Sequence, residues 1–187
     1  MKKTIISIFV VQMTLLFLTG CTKEKGLETG SLDGKYLDAV NADLQTFKSG
    51  NISEITECVF GVSDNSDTSD EGQNGIIADL FANAKVDVST VDDSAITYEI
   101  ASPDISNFFQ DKADELLEVA TTDELRNLLL EYAESTPERN YTVPLAYSIT
   151  ELGIDVEYDN PDFINAMTGG LLDAYADLYE KYLETEE

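Results

Sequence analysis

The densest group of metal-ligand oxygens in the chain lies in an acidic run, DNSDTSDEG, at residues 64–72. Calcium prefers carboxylate and carbonyl oxygens, and an EF-hand loop requires glycine at position six and a bidentate glutamate at position twelve. Counted from Asp67, Gly72 takes position six, but Ala78 stands at position twelve. We therefore expect a solvated loop without a specific metal site. The residues that could bind calcium weakly are Asp64, Asp67, Asp70 and Glu71.

Catalytic chemistry is restricted by the absence of histidine from the whole sequence. A Ser-His-Asp triad and a histidine-ligated zinc site are both excluded. A pair of carboxylates can act as acid and base in glycoside hydrolysis, but a chain with 37 acidic residues contains many pairs by chance. We expect no enzyme activity, no catalytic residues and no cofactor. A hydrolase that uses carboxylates is kept as the last alternative.

The two cysteines stand in different settings. Cys58 lies among apolar residues in ITECVFG, which predicts a buried, inert thiol. Cys21 ends the sequence LTGC at residues 18–21, just after an apolar segment that begins at Ile5 and follows two lysines. That segment is shorter than the roughly 20 residues of a membrane-spanning helix. Basic, apolar and small residues in this order are typical of a secretory signal peptide, with a short N-terminal membrane helix as the alternative.

The LTGC sequence resembles the lipobox of bacterial lipoproteins. The resemblance implies that Cys21 receives a diacylglycerol group and becomes the mature N-terminus. Two or more acyl chains anchor a protein stably, whereas one chain binds a membrane only marginally. We therefore expect a signal peptide at residues 1–20, a lipidated cysteine and flexible tether at residues 21–34, and one domain at residues 35–187. The expected location is the extracytoplasmic face of the cell membrane.

The formal net charge at pH 7 is −26, from 11 basic and 37 acidic residues. Loss of Lys2 and Lys3 with the signal peptide leaves 9 basic residues and a charge of −28. Nucleic-acid binding requires a basic surface, so we expect no nucleic-acid partner. An anionic membrane surface also repels such a domain, so we expect the lipid to hold it there. Any further partner, a surface protein or a small ligand, is not identified by the sequence.

Aromatic residues are the remaining candidates for binding. Nine tyrosines and eight phenylalanines occur, and several alternate with polar residues in predicted strands. Such residues fill a core or, where a curved sheet opens at one end, line a ligand pocket. The tyrosines that we consider for a pocket are Tyr98, Tyr141, Tyr147 and Tyr158.

Apolar spacing predicts the elements that position these residues. Alternation predicts two β-hairpins, at residues 86–100 and 141–158. The order is helices, hairpin, helices, hairpin, helix, which predicts an α+β fold with a small antiparallel sheet packed on helices. Steps of three and four predict helices over residues 37–47, 52–59, 76–81, 105–117, 125–132 and 163–182.

Five short motifs give local predictions. Ser-Pro at residues 102–103 predicts the cap and first residue of a helix, as does Asn-Pro at residues 160–161. TTDE at residues 121–124 predicts a capping box. Pro144 predicts an edge position or a bulge in its strand. Gly-Gly at residues 169–170, inside a helical pattern, predicts a kink or the close approach of another backbone.

These segments in order resemble a known group of proteins. The chain begins its domain with a helix pair, which is followed by ITYEI running into ASPDI, then YTVPLAYSI, then VEYDNPDFINAMTGGL. In this order, the segments resemble uncharacterised lipoproteins of Gram-positive bacteria that have an NTF2-like, or cystatin-like, domain. The resemblance covers about residues 35–184. It implies a curved antiparallel sheet wrapped against helices into a cone, and it provides no catalytic residues for this chain. The long final helix differs from the compact cone, where a strand often closes the chain.

Three functions are consistent with the sequence. The expected one is a lipid-anchored surface protein with a non-catalytic binding or structural role. The alternatives are a carrier or sensor of a small apolar or peptide ligand, and a carboxylate hydrolase. An interior filled with side chains favours the first, and a pocket on the order of several hundred cubic ångströms favours the second. Inward-facing carboxylates with raised pKa values favour the third.

Overall fold

The computed structural model describes residues 32, 34–60 and 71–184. They form an α+β fold in which helices pack against an open sheet of four antiparallel strands. The predicted order of helices and hairpins is confirmed. The elements are α1 (Gly34–Ser49), α2 (Ile52–Phe60), α3 (Glu71–Asn83), β1 (Lys85–Val91), β2 (Ala95–Pro103), α4 (Phe108–Asp111), α5 (Ala113–Leu116), α6 (Thr122–Ser135), β3 (Glu138–Thr150), β4 (Gly153–Val156), α7 (Pro161–Met167) and α8 (Leu171–Glu184).

The sheet has the strand order β1-β2-β3-β4, so each strand pairs with its neighbour in sequence. Side chains alternate between faces along a strand. In β2 the buried positions Ile96, Tyr98 and Ile100 therefore face the helices, while Glu99 faces solvent. This alternation fixes the register, because a slip of one residue would bring Glu99 into the core.

Pro144 lies in β3, opposite Thr97 of β2. The carbonyl oxygen of Ala146 accepts a hydrogen bond from the backbone N–H of Glu157, on the side of β3 away from β2. Backbone groups two residues apart point the same way, so the nitrogen of Pro144 also points away from β2. Because β4 pairs with β3 only from Tyr147 onward, the missing N–H of Pro144 breaks no ladder bond. The predicted edge position is confirmed locally.

The prediction that a helix begins at residues 102–103 is wrong. Ser102 and Pro103 are the last residues of β2 and pair with Arg139 and Glu138. The hydroxyl of Ser102 is buried and donates to the carbonyl of Ala166 at 2.6 Å, so it does not cap a helix. The single helix predicted over residues 105–117 is instead two one-turn helices, α4 and α5.

The predicted helix over residues 163–182 is divided into α7 and α8 at Gly169 and Gly170, which both have positive φ. The backbone of the segment after β2 lies directly against this break. Ile105 donates its N–H to the carbonyl of Gly169 at 2.9 Å. A Cβ on Gly169 would overlap the carbonyl oxygen of Pro103. The predicted close approach of another backbone is confirmed, whereas the single kinked helix is wrong, because the chain forms two separate helices here.

Two predicted helix caps are confirmed. The Thr121 hydroxyl accepts from the N–H of Glu124, and the Glu124 carboxylate accepts from the N–H of Thr121, each at 3.2 Å. The side chain of Asn160 accepts from the N–H groups of Asp162 and Phe163 at the start of α7. These side chains satisfy backbone donors that a helix leaves unpaired at its first turn.

The core consists of two clusters of buried residues on either side of α3. Ala78 and Phe81 of α3 belong to the larger cluster, between the sheet and α1, α2 and α7. Ile76 and Leu80 of α3 belong to the second cluster, with residues from α4, α6 and α8. A helix with two apolar sides is buried between layers. Among residues 32, 34–60 and 71–184, no helix combines the length and the apolar character needed to cross a bilayer.

Candidate functional site

The four candidate tyrosines do not surround one common space. The hydroxyls of Tyr98 and Tyr158 lie 3.1 Å apart inside the larger core cluster. Tyr147 donates its hydroxyl to the carbonyl of Asp92 at 2.9 Å, in the turn between β1 and β2. Tyr141 is half-buried, with the guanidinium of Arg139 5.1 Å from its ring centroid. The structure therefore brings together only Tyr98 and Tyr158, and a ligand role for the four residues stays a prediction.

Aromatic rings fill the space around this pair of tyrosines. Phe163, at the first turn of α7, contacts Phe47, Phe81, Tyr98 and Tyr158, with ring centroids between 5.4 and 6.4 Å apart. Edge-to-face and tilted pairs at these distances are favourable. All five rings are at most 3% exposed. At this position the interior is packed with side chains.

Two polar groups of the helices act on the surroundings of the tyrosine pair. Tyr158 and the thiol of Cys58, which belongs to α2, both influence the pKa of the Asp43 carboxyl group in α1. Burial raises the pKa of Asp43 above its ordinary value, and these two neighbours partly oppose that rise.

The pKa values of Cys58, Tyr98 and Tyr158 also rise. Burial, and then the nearby Asp43 carboxylate, raise the pKa of Cys58 to about 12. Burial likewise raises the pKa of both Tyr98 and Tyr158. A nucleophilic cysteine requires the opposite shift. The thiol therefore stays protonated at neutral pH, as expected of an inert cysteine. The prediction that it is buried is wrong, because Cys58 is only half-buried.

Asp43 is also the group to examine for carboxylate chemistry, because its pKa is raised and it lies partly inside the protein. Glycoside hydrolysis uses two carboxyl groups. Burial raises the pKa of Asp43, and its two neighbours Tyr158 and Cys58 lower it. A carboxylate hydrolase stays an untested alternative.

Cys58 is expected to react slowly with alkylating reagents. A pKa of about 12 instead of 9.0 lowers the thiolate fraction, while the higher nucleophilicity of a more basic thiolate recovers about half of the effect on a logarithmic scale. At pH 8 we expect alkylation to be at least about thirtyfold slower in the native protein than in denaturant. Mass spectrometry of iodoacetamide-treated Cys21→Ser protein measures this rate at the remaining cysteine.

The control for this rate is the same protein in concentrated guanidinium chloride. An Asp43→Asn variant is expected to react faster than the parent, because the carboxylate that raises the thiol pKa is absent. Equal rates in the native and denatured parent would show that the Cys58 thiol is not protected.

A separate cavity of about 210 Å³ lies between the start of α1 and the turn from β1 to β2. Ligand pockets usually measure about 300–1,000 Å³. None of the four candidate tyrosines lines the cavity, and its volume is below this range. Its lining residues are Leu32, Leu37, Val91, Asp92 and Asp93.

Several predicted site residues lie outside the described part of the chain. These are the signal peptide, Cys21 with most of its tether, and the calcium candidates Asp64, Asp67 and Asp70. The fourth calcium candidate, Glu71, is the first residue of α3. Within residues 32, 34–60 and 71–184, no group of three or more acidic or cysteine side chains is placed to hold a metal ion. The calcium prediction for the acidic loop stays untested.

Sequence reasoning missed Asp43, although the sequence contains a signal for it. Val40, Leu44 and Phe47 form the buried stripe of α1. Asp43 lies three residues after Val40 and four before Phe47, so it lies on the same helix face. A carboxylate within an apolar stripe predicts a buried partner.

Comparison with known proteins adds no family: no family model matches the chain, and no solved structure gives a significant match.

Proposed function

We propose that this chain is a bacterial surface lipoprotein, anchored by lipid at Cys21 on the extracytoplasmic face of the cell membrane. The observation that carries the proposal is the LTGC sequence at residues 18–21, which closes a short apolar segment after two lysines. A diacylglycerol group supplies two acyl chains, enough for stable anchoring. The lipid is needed because a domain of this charge is repelled by anionic headgroups.

The role we propose for the domain is binding or structural, without catalysis. Three observations support it: the sequence contains no histidine, the Cys58 thiol has a raised pKa, and aromatic rings fill the interior around Tyr98 and Tyr158. A packed interior favours this role over that of a carrier with an internal pocket. The partner we propose is another surface protein that contacts the exterior of the domain.

We also propose that the domain is NTF2-like, as in the Gram-positive lipoproteins that the sequence resembles. The support is a sheet of four antiparallel strands with helices against one face. The bulge in β1 between Val88 and Thr90 adds local twist of the kind that curves a sheet. The open strand order and the final helix α8 are the features in which it differs from the compact cone.

Lipidation at Cys21 is tested by feeding bacteria that express the full chain an alkyne-tagged fatty acid. The parent protein is expected to incorporate the tag, and Cys21→Ser is expected to lose it entirely, because the thiol is the predicted acceptor. Fluorescence of the clicked protein in a denaturing gel gives the measurement.

The matched control is Cys58→Ser, which replaces the other cysteine of the chain and is expected to label like the parent. Labelling of Cys21→Ser at the parent level would disprove the predicted acceptor. An unlabelled parent would disprove lipid anchoring itself.

A further inference from the structure

The tether joins the domain beside the cavity between the start of α1 and the turn from β1 to β2. Leu32, the first described residue, is itself one of the residues that line the cavity. Leu37 and Val91 add apolar surface, and Asp92 and Asp93 add two carboxylates. This lining matches a lysine side chain, whose aliphatic stem packs on apolar surface while its ammonium group binds carboxylates.

We propose that the cavity holds the side chain of Lys25, so that residues 26–31 form a short loop that returns the tether to the domain. The contact joins the domain to its own tether and does not depend on lipidation. Only its effect on the distance to the membrane depends on the proposed anchoring at Cys21.

The turn that carries the two carboxylates has a fixed shape. The Oδ1 atom of Asp92 accepts from the N–H groups of Ser94 and Ala95, each at 2.8 Å, and from the hydroxyl of Ser94 at 2.9 Å. The carbonyl of Asp92 accepts from the hydroxyl of Tyr147 at 2.9 Å. These side-chain bonds use Oδ1, so the described residues leave Oδ2 available to accept from an ammonium group. The bonds from Ser94 and Ala95 also lower the pKa of Asp92, which keeps the carboxylate charged.

The size of the cavity suits the proposed occupant. Its volume is about 210 Å³, whereas an apolar cavity of about 150 Å³ binds benzene. Benzene has six heavy atoms, and a lysine side chain has five. Asp92 and Asp93 are exposed, so the ammonium group keeps contact with water while the stem packs on Leu37 and Val91. This position avoids the cost of burying a charge.

The chain before Leu32 has the length and the charge that the contact requires. Lys25 is seven residues before Leu32, a stretch that spans at most about 24 Å. Residues 26–31 include two glycines, which allow the chain to turn back. A flexible loop this short holds its end at an effective concentration on the order of millimolar. A weak contact is therefore sufficient to dock the side chain.

Docking of Lys25 would shorten the connection between the domain and its lipid. The chain from Cys21 to Leu32 spans at most about 37 Å, but the chain from Cys21 to Lys25 spans at most about 14 Å. Docking therefore holds the acidic domain closer to the anionic headgroups that repel it. Release of Lys25 lets the domain extend farther from the membrane.

Zero-length cross-linking tests the contact directly. A water-soluble carbodiimide condenses a lysine amine with a carboxylate that it touches, which gives an amide. We would treat the full chain, purified in detergent from bacteria, and map the product by peptide mass spectrometry. The expected product joins Lys25 to Asp92 or Asp93 within one molecule. A product that joins Lys23 instead, that joins two molecules, or that is equally abundant in guanidinium chloride would overturn the proposal.

Trypsin cleavage after Lys25 gives a second measurement, because a docked lysine cannot enter the protease. Asp93→Asn changes an exposed turn residue and is expected to speed this cleavage about two- to fivefold, the range for loss of one exposed ion pair. The matched control is Asp87→Asn, which removes the same charge from an exposed position of β1 outside the cavity lining. It is expected to be cleaved at the parent rate. Equal rates for the two variants would show that Lys25 does not dock in the cavity.

Discussion

Replacing Gly169 with alanine is expected to destabilise the domain by at least about 3 kcal/mol. Gly169 has φ +65°, and a Cβ there would overlap the carbonyl oxygen of Pro103. That oxygen belongs to backbone at the end of β2, so relief requires moving the strand end away from the turn between α7 and α8. Such a movement strains the hydrogen bonds from Ser102 to Ala166 and from Ile105 to Gly169.

Gly50→Ala is the matched control. Gly50 has φ +67°, but the nearest atom to a Cβ there is the Cβ of Ala82 at 3.5 Å, an ordinary contact. Gly50→Ala is expected to lower the stability of the domain by about 1 kcal/mol, which is the cost of a positive φ alone. Urea unfolding of the two variants and the parent measures the difference. Equal losses in the free energy of unfolding would mean that the close approach of Pro103 adds nothing to the cost of Gly169→Ala.

Replacing Phe163 with alanine is expected to cost about 3–5 kcal/mol, the usual range for deleting a buried phenyl ring. Phe163 is fully buried and its ring contacts four other rings. Two of these belong to Tyr98 and Tyr158, so the variant also leaves a cavity beside the contact between these two hydroxyls. Near-ultraviolet circular dichroism is expected to show a loss of tyrosine signal together with the loss of stability.

The control for this deletion is Phe109→Ala. Phe109 is half-buried and packs against the second core cluster, outside the group of rings around Phe163. The same atoms are removed, but less apolar surface was buried, so we expect a cost of about 1–2 kcal/mol. If the two variants lost equal stability, Phe163 would not be the centre of a packed interior.

Elements with strong local patterns were predictable from the sequence. Alternation in ITYEI and YTVPLAYSI predicted β2 and β3, since the exposed face of each strand is polar or small. The caps at Thr121 and Asn160 were predictable because each involves residues within three positions along the chain.

The Ser-Pro pair at residues 102–103 shows where local reasoning failed. Ser102 is a good helix cap in isolation, but the alternation of β2 extends through it and makes it an inward-facing position. Its hydroxyl is satisfied by Ala166, 64 residues away in sequence. The contact with Ala166 stabilises Ser102 as a strand residue, and nothing in the sequence around Ser102 indicates that contact.

The candidate site was partly predictable for the same reason. Tyr98 and Tyr158 were identified as inward-facing aromatic residues and are buried, whereas Cys58 was predicted to be buried and is half-buried. The contact between the hydroxyls of Tyr98 and Tyr158 was not predicted, because it forms only when β2 and the segment after β4 come together. For Asp43, the local signal was its place within the apolar stripe of α1.

The central claim is that Cys21 carries the lipid that holds this acidic domain at the membrane. The most direct test is the intact mass of the protein extracted from bacterial membranes. The predicted result is the mass of residues 21–187 plus a diacylglycerol group, with the added mass located on Cys21 by fragmentation. A protein that retains residues 1–20, or one whose Cys21 thiol is unmodified, would contradict the claim.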